Sequence, residues 1–402
     1  MRVGPSGQHH LTYCTNVHPG ENWDDTLAQL HRYLPPLKAK LSPDMPFGVG
    51  LRLSDLAAQE LLNGDRLHRF AEWLGQQGLY VFTLNGFPYG SFHGGPVKDR
   101  VYAPDWTRPE RLAYTMRLAR ILAALLPDGV EGGISTVPVS YKRWHATAAE
   151  RKAAAAAGAV QLLEAVGMLA RLEVDTGKVI HLDLEPEPDC LLEDAAETLA
   201  FFQNHLLLGA AADGAASVLR HVRVCWDACH AAVEYESGAD ALRLLGAHGI
   251  SIGKLQISTA LKAPLGSPAE RAGLVERLRP FAESTYLHQV VERRADGTLR
   301  RHPDLHDALR GISDPMAREW RVHFHVPIFW PDCGGLATTQ AELRDTLGHV
   351  LANPSCTHLE IETYTWDVLP PALRLDLPQS LLREYGWVLG TLDSMMVRSC
   401  AA

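Results

Sequence analysis

Short apolar runs alternate with helical segments along the 402-residue chain. The runs are rich in β-branched and aromatic residues, a composition typical of buried strands. Strand and helix alternating over this length predict parallel βαβ units. The candidate strands are HLTYCTNV, FGVGLRL, LYVFTLNG, GISTVPVSY, KVIHLDLEPEP, VRVCWDACH, GKLQIS, RVHFHVPIFW and HLEIETYTW.

Several of the intervening segments begin with a capping box, in which Ser or Thr precedes a helix and Glu follows three residues later. The two side chains then satisfy backbone N–H groups at the helix start. We therefore predict helix starts at three pairs, namely Thr107 with Glu110, Ser267 with Glu270, and Thr339 with Glu342.

Two architectures fit this alternation, a closed eight-stranded barrel and a doubly wound open sheet. The chain lacks the glycine-rich phosphate loop that would favour the open sheet, and its unusual polar residues follow many different strands, as in a barrel. The surplus ninth strand lies in residues 259–330, which also alternate like a β-hairpin around Asp296-Gly297. We predict an α/β fold, a (β/α)8 TIM barrel forming a single domain over residues 1–402, with residues 259–330 inserted after strand 7.

Composition narrows the class of partner. The chain has 46% hydrophobic residues and a formal net charge of −9. This charge argues against nucleic-acid binding, because phosphate contacts need clustered Lys and Arg. The N-terminal stretch lacks an apolar signal region, and no run approaches the ~18 apolar residues of a membrane span. The seven cysteines lack zinc-finger spacing, so we expect reduced thiols in a cytoplasmic protein without direct membrane insertion.

The stretch HLDLEPEP places four ionisable side chains on one face of a strand. Burying several carboxylates together is costly unless a cation or strong donors compensate them. Glu185 lies near the strand end and is the first candidate metal ligand. We expect His181 and Asp183 to pair with other side chains, and Glu187 to be either an acid beside the metal or a loop residue.

Carboxylates and imidazoles are also found at the ends of further predicted strands. Asp227 closes VRVCWD, and a turn would return the imidazole of His230 to that carboxylate. Glu362 ends HLEIE, and RVHFHVPIF offers His323 and His325 on one strand face as candidate ligands. A mixed set of carboxylates and imidazoles suits Mn²⁺, Zn²⁺, Fe²⁺ or Mg²⁺.

The stretch from Tyr80 to Trp106 begins as a strand and continues as a loop rich in Gly, Pro and aromatic residues. In a barrel, a loop after the third strand covers the mouth where the carboxylates meet. We predict that it forms a substrate wall together with residues that follow other strands. The predicted substrate-binding residues are Asn16, His18, Arg52, Asn85, Phe87, Tyr89, His93, Lys98, Tyr141, Glu187, Gln256, Tyr364 and Trp366.

Seven segments spread over essentially the whole chain carry a family resemblance: YCTNVHPGE, TLNGFPYG, ISTVP, LEPEP, WDACH, VHFHVPIF and ETYTWDVLP. Together they resemble the EboE family of bacterial metabolite-traffic proteins, in the xylose-isomerase-like TIM-barrel superfamily. Epimerases of that superfamily hold a divalent metal with Glu, Asp-x-x-His, His and Glu from their last four strands. The resemblance maps this pattern onto Glu185, Asp227, His230 and Glu362, with Glu185 and Glu362 as catalytic residues flanking the reacting carbon.

One ligand of that pattern is missing. The strand-seven histidine has no counterpart in GKLQIS, where Gln256 or Ser258 stands at the strand end. Either His323 or His325 replaces it from the inserted region, or the metal site is altered or absent.

The resemblance implies a metal-dependent isomerase or epimerase acting on a polyhydroxylated ketone or cyclitol-like carbonyl. It also implies a place in a secondary-metabolite pathway or its export, with other proteins of the ebo cluster as partners. Two alternatives stay open. A multinuclear zinc phosphoester hydrolase related to endonuclease IV would use His323 and His325, and a non-catalytic metabolite-binding barrel would explain the missing histidine.

Overall fold

The computed structural model describes residues 1–4, 7–210, 214–352 and 356–400. Its strands are β1 (Arg2–Val3), β2 (His9–Tyr13), β3 (Phe47–Arg52), β4 (Leu79–Asn85), β5 (Gly132–Thr136), β6 (Ile180–Leu184), β7 (Val222–Asp227), β8 (Ile252–Ile257), β9 (Leu261–Pro264), β10 (Val290–Arg294), β11 (Leu299–His302), β12 (Ala317–Val322), β13 (Ala337–Thr338) and β14 (His358–Ile361).

Helices follow most of the strands. They are α1 (Trp23–Leu41), α2 (Asp55–Leu61), α3 (Arg66–Gln76), α4 (Pro109–Leu125), α5 (Ala148–Thr176), α6 (Ala195–Phe201), α7 (Ala215–His221), α8 (Ala228–Val233), α9 (Gly238–Ala247), α10 (Pro268–Leu278), α11 (Leu305–Arg310), α12 (Gln340–Ala352) and α13 (Leu377–Cys400).

Eight parallel strands form the predicted barrel, in the order β2, β14, β8, β7, β6, β5, β4 and β3. The ring closes between β3 and β2, where the Thr12 hydroxyl accepts from the N–H of Gly50 at 2.8 Å. Glycine is required at position 50, because a Cβ there would lie 1.8 Å from Oε1 of Glu360 inside the barrel. The TIM-barrel prediction is confirmed.

The lower part of the barrel interior holds ionisable side chains in pairs. Nζ of Lys254 lies 2.8 Å from Oε2 of Glu360, and both side chains are fully buried. Nδ1 of His181 lies 2.6 Å from Oδ1 of Asp183. Alternation along β6 and β8 therefore directs these charges inward, and each finds a partner there.

A second sheet of five antiparallel strands, in the order β11, β10, β12, β9 and β13, lies in sequence between barrel strands β8 and β14. The predicted hairpin is present in it, since β10 pairs with β11 around Asp296-Gly297. Gly297 has a φ of +82°, as a tight hairpin turn requires. One prediction is wrong here: β12 ends at Val322, so His323 and His325 follow the strand instead of belonging to it.

Of the three predicted capping boxes, the one at Ser267 and Glu270 is confirmed at the start of α10. At α4 the prediction is wrong, because Arg108 is the N-cap and the Thr107 hydroxyl donates to Oδ1 of Asp105 instead. The Thr339 hydroxyl accepts from the N–H of Ala260 at 2.8 Å, so it serves the inserted sheet.

Among the described residues, helix α5 alone is long and apolar enough to cross a membrane by length and composition. Its buried residues recur at spacings of three and four, and the helix packs on α4 and α7. This is the pattern of a helix that covers a protein core.

Candidate metal centre

Three carboxylates from three different barrel strands meet at the carboxyl end of the barrel. Glu185 follows β6, Asp227 ends β7 and Glu362 follows β14. One oxygen atom of each lies within 4.8 Å of the others. The side chains are almost completely buried, with 2%, 2% and 4% of their residues' surface exposed. We call Glu185, Asp227 and Glu362 the carboxylate triad.

Amide groups from the first and third barrel strands hold Glu362. Nδ2 of Asn16 and Nδ2 of Asn85 each donate to Oε1 of Glu362 at 2.9 Å. Asn16 follows β2 in a short helical turn, and Asn85 is the last residue of β4. The two amides fix one oxygen of this carboxylate and leave the other directed toward the triad.

Asp227 is held by the start of α8. Its Oδ1 accepts from the N–H of His230 at 2.9 Å and from the hydroxyl of Ser258 at 2.8 Å. Oδ2 of Asp227 and Oε2 of Glu185 are buried without a hydrogen-bond partner among the described residues. Buried polar atoms without partners are costly, so these oxygens are positioned for a group that carries positive charge.

The electrostatics of the triad lead to the same conclusion. Burial, followed by the nearby carboxylates, raises the pKa of Glu185 and of Glu362 well above the ordinary value. Burial opposes ionisation of Asp227, but His230 and His325, with the N–H and hydroxyl donors, bring the pKa of Asp227 below its usual range. A divalent cation would remove the repulsion between the acids, and oxygen ligands in this arrangement fit Mg²⁺, Mn²⁺ or Zn²⁺.

Three imidazoles lie beside the triad. His230 comes from α8, while His323 and His325 follow β12 of the inserted sheet. Burial lowers the pKa of all three, that of His230 to about 4. They are therefore neutral at physiological pH, which is the form that binds metals. Ligand atoms of Asp227, His230 and His325 lie within 4.8 Å of one another, and so do those of Glu187, His230 and His323.

His325 lies beside Asp227 and Glu362, and whether it replaces the missing strand-seven histidine stays a prediction. Its Nε2 lies 4.0 Å from Oδ2 of Asp227, and its Nδ1 contacts the backbone carbonyl of Glu362 at 2.8 Å. Gln256, on barrel strand β8 itself, is fully buried with both amide atoms unpartnered among the described residues.

A cavity of about 520 Å³, counting the part open to solvent, leads to these groups. Its outer wall is an aromatic cluster in which Phe92, Tyr286 and Tyr364 contact one another at ring-centre distances of 5.0–5.2 Å. These residues come from the loop after β4, from the inserted sheet region and from the segment after β14. The volume and the mixed polar and aromatic lining are typical of a small-molecule site.

Six of the predicted substrate-binding residues line this cavity, and their role in binding stays a prediction. Lys98 is engaged with Oδ2 of Asp304 at 2.7 Å, so it ties the loop after β4 to the inserted region. The six are Asn16, Asn85, Phe87, Lys98, Glu187 and Tyr364.

The other seven predicted substrate-binding residues lie outside the cavity lining, and all of them except Gln256 have a hydrogen-bond or ring partner that the structure shows. His18 contacts the hydroxyl of Tyr13 and stacks on Tyr33. Arg52 donates to the carbonyls of Gly20 and Gly90. Tyr89 donates to Asp55, and His93 contacts the carbonyl of Asn16. Two aromatic residues are stacked, Tyr141 on Tyr102 and Trp366 on Phe329. Gln256 lies in the barrel interior.

Several residues of the site were not predicted. Tyr102 donates its hydroxyl to Oε1 of Glu187 at 2.7 Å, and Gln289 donates to the Tyr102 oxygen at 3.0 Å. Tyr286 lines the cavity from the inserted region. The aromatic loop composition pointed toward Tyr102, whereas Gln289 and Tyr286 lie in a segment whose contact with the barrel no sequence pattern indicates.

No protein-family model and no curated protein sequence matches the chain. Solved structures do. A xylose isomerase-like TIM barrel protein from Mycobacterium smegmatis, in complex with magnesium, is 11% identical with a TM-score of 0.52, covering 98% of this chain and 99% of that one. A D-tagatose 3-epimerase-like protein is 10% identical with a TM-score of 0.49, covering 97% and 99%. The probable 3-DHS dehydratase AsbF of petrobactin synthesis from Bacillus anthracis is 12% identical with a TM-score of 0.45, covering 88% and 93%.

At such low identity these similarities establish the fold alone. The Mycobacterium smegmatis structure carries that conclusion, because it matches over nearly the whole length of both chains. The protein folds as a xylose-isomerase-like TIM barrel.

Proposed function

We propose that this protein is a divalent-metal-dependent isomerase or epimerase acting on a polyhydroxylated ketone or cyclitol-like carbonyl. The observation that carries the proposal is the carboxylate triad, in which one oxygen of each acid lies within 4.8 Å of the others and no Lys or Arg among the described residues is paired with them. The triad and His325 would hold the ion. The magnesium named with the Mycobacterium smegmatis barrel is consistent with such a site.

In this proposal Glu185 removes a proton from the substrate and Glu362 returns one. A bound divalent ion supplies polarisation of the substrate's carbonyl and hydroxyl oxygens, which acidifies the C–H between them. Glu185 would remove that proton with the carboxylate oxygen that does not hold the ion. Glu362, oriented by Asn16 and Asn85, would start protonated and give its proton to the opposite face of the same carbon in an epimerisation. In an isomerisation the proton would go to the former carbonyl carbon, while the hydroxyl proton moves to the former carbonyl oxygen. The aromatic wall excludes water from the reacting carbon.

We further propose that the substrate belongs to a secondary-metabolite pathway or its export, as in the EboE family, with ebo-cluster proteins as partners. The family resemblance of the seven motifs supports this role. The protein would act in the cytoplasm on a small metabolite, without nucleic acid.

A second candidate is a multinuclear zinc phosphoester hydrolase. The imidazoles of His230 and His323, which line the same cavity as Glu185, favour it. Hydrolysis requires activated water at a phosphoester, whereas isomerisation requires exchange of a carbon-bound proton.

Deuterium exchange distinguishes these functions. The metal-loaded protein is incubated in D₂O with a panel of ketoses and inososes, and carbon-bound deuterium is followed by NMR. We expect incorporation next to a carbonyl with at least one member, and its loss in Glu185→Gln. Absence of exchange throughout the panel, with release of phosphate from small phosphoesters, would contradict the isomerase and support the hydrolase.

A further inference from the structure

The outer face of helix α5 is apolar as well as exposed. The residues that recur at every third or fourth position from Ala149 to Val174 are all exposed, and six of these eight are Ala, Val or Gly. Val160 and Val174 are 64% and 84% exposed. Less than half of the most apolar stretch of α5 is buried. An exposed helix face is ordinarily polar. We call this face, which runs from Ala149 through Val160 and Gly167 to Val174, the outer stripe.

A glycine in the middle of the outer stripe has no packing role within one chain. A Cβ at Gly167 would meet no heavy atom within 4 Å, whereas a Cβ at Gly158, on the inner face of α5, would lie 2.6 Å from Cγ1 of Val139. Packing therefore requires glycine at position 158 but not at position 167. Glycine inside a helix is destabilising relative to alanine, and one use that offsets this cost is the close approach of another molecule.

The two charged residues of the outer stripe have opposite signs. Glu164 lies three residues before Gly167, and Arg171 lies four residues after it. Neither side chain has an ion-pair or hydrogen-bond partner in the described part of the chain. Seven residues of helix separate the two charges by roughly 10 Å, so they do not pair with each other. Each charge is therefore available to a partner molecule.

We propose that the outer stripe binds the outer stripe of a second copy of this chain, as an antiparallel pair of α5 helices with a two-fold axis at Gly167. Such an axis places Glu164 of each chain opposite Arg171 of the other, and Val160 opposite Val174, so every contact occurs twice. The two glycines at the axis allow the helix backbones to approach closely. The exposed valines are then removed from water. None of these residues belongs to the site at the barrel mouth, so the proposal is independent of the proposed function.

A lipid surface is the other partner that a long apolar face could bind. Glu164 lies in the middle of the stripe, where a carboxylate facing lipid is costly. Helices that lie on membranes present Trp, Phe or Leu to the lipid and carry many Lys and Arg residues, whereas the outer stripe presents Ala, Val and Gly. One acid and one base on either side of a central glycine match a second stripe instead.

Sedimentation equilibrium of the full-length protein, from micromolar to near-millimolar concentration, tests the proposal. We expect a mass of twice the 44.2 kDa chain. Arg171→Glu places like charges opposite each other twice, so the dissociation constant of the dimer should rise by ~100-fold or more. The double variant Glu164→Arg with Arg171→Glu faces opposite charges again and should recover most of the affinity. Arg120→Glu is the matched control, because Arg120 is exposed on the neighbouring helix α4, outside the stripe.

A disulfide crosslink tests the position of the axis. The free cysteines of the described residues are buried, so Gly167→Cys adds an exposed thiol. Two thiols at the axis lie close enough to bond, and mild oxidation should give a covalent dimer that a reductant reverses. Arg120→Cys should stay a single chain under the same conditions.

The outcomes decide between the partners. A single-chain mass of the unmutated protein at every concentration would overturn the proposal. A dimer that Arg171→Glu leaves intact, or that Gly167→Cys does not crosslink, would also overturn it. Binding to vesicles of phosphatidylcholine and phosphatidylglycerol without self-association would assign the stripe to a lipid surface and overturn it equally. Circular dichroism checks that each variant is folded, as we expect because the substituted side chains are exposed.

Discussion

Two layers of the barrel interior differ in how their buried ionisable side chains are paired. In the lower layer Lys254 pairs with Glu360 at 2.8 Å, and His181 contacts Asp183 at 2.6 Å. Burial alone would lower the pKa of Lys254, but the Glu360 carboxylate raises it above its ordinary value. The lower layer therefore contains a cation of the chain itself, Lys254, directly opposite a buried carboxylate.

The layer at the carboxyl mouth of the barrel, which we call the mouth layer, differs in its charge pairing. It lies one step further toward the carboxyl ends of the barrel strands, where Glu185, Asp227 and Glu362 converge and no Lys or Arg in the described part of the chain is paired with them. Alternating residues on neighbouring barrel strands thus build one layer with a buried ion pair and one in which three acids meet. The two layers differ in whether the described residues supply a cation to the acids, and not in burial or residue type.

The largest effect is expected when the Lys254–Glu360 ion pair of the lower layer is disrupted. Lys254→Met leaves Glu360 buried without its cation, and we expect a loss of about 3–5 kcal/mol in the free energy of unfolding. Urea denaturation measures it. The double variant Lys254→Met with Glu360→Gln should recover most of the loss, because no uncompensated charge remains. A loss below ~1 kcal/mol in the free energy of unfolding of the single variant would contradict a stabilising role for this ion pair.

Glu185→Gln in the mouth layer should lower the affinity for metal without lowering the stability of the metal-free protein. It removes a like charge from the triad, so the metal-free protein should be at least as stable as the unmutated one. Its affinity for Mn²⁺ should fall by more than ~100-fold, beyond the usual effect of losing an outer partner. Calorimetric titration with Mn²⁺ and urea denaturation measure the two quantities. Strong destabilisation with unchanged Mn²⁺ affinity would place Glu185 among the structural acids.

The outer support of the triad should give an intermediate effect. Asn16→Ala removes one of the two amides that hold Glu362, so we expect Mn²⁺ affinity to fall by about 10-fold, the lower end for such partners. Asn22→Ala is the matched control, since Asn22 caps α1 and touches no acid of the triad. An equal loss of affinity in both variants would mean that general destabilisation, and not support of Glu362, is responsible.

A pH-dependent effect comes from a buried acid outside both layers, Glu384. Burial raises the pKa of Glu384 to about 8, although Thr363 and the N–H of Ile328 donate to it. Between the unfolded pKa of about 4.5 and this value the folded state binds the extra proton, so its stability falls as pH rises. Relative to Glu384→Gln, the unmutated protein should lose about 1.4 kcal/mol per pH unit between pH 5 and pH 7. Parallel stability curves for the two proteins would contradict this.

Sequence patterns were sufficient for the barrel and the triad because both depend on local rules. Strand periodicity and closure place the last residues of β6, β7 and β14 at one mouth, so Glu185, Asp227 and Glu362 meet. The helix start at Ser267 follows a local capping pattern and was predicted. At Thr107 the same pattern failed, because Asp105 competes for the hydroxyl.

The contribution of the insertion could not be predicted in the same way. Its strands pair with one another, so their register carries no information about where His323, Gln289 or Tyr286 meets the barrel. His323 and His325 looked like one strand face, yet β12 ends at Val322 and both rings turn toward the cavity region from an irregular segment. Tertiary contact, and not local pattern, decides these positions.

A manganese anomalous map of crystals grown with Mn²⁺ tests the central claim most directly. The account predicts a peak bonded to an oxygen of Glu185, of Asp227 and of Glu362 at once, at roughly 2.0–2.3 Å, as for small divalent ions with oxygen ligands. A well-ordered mouth with no peak among these three acids would contradict the account.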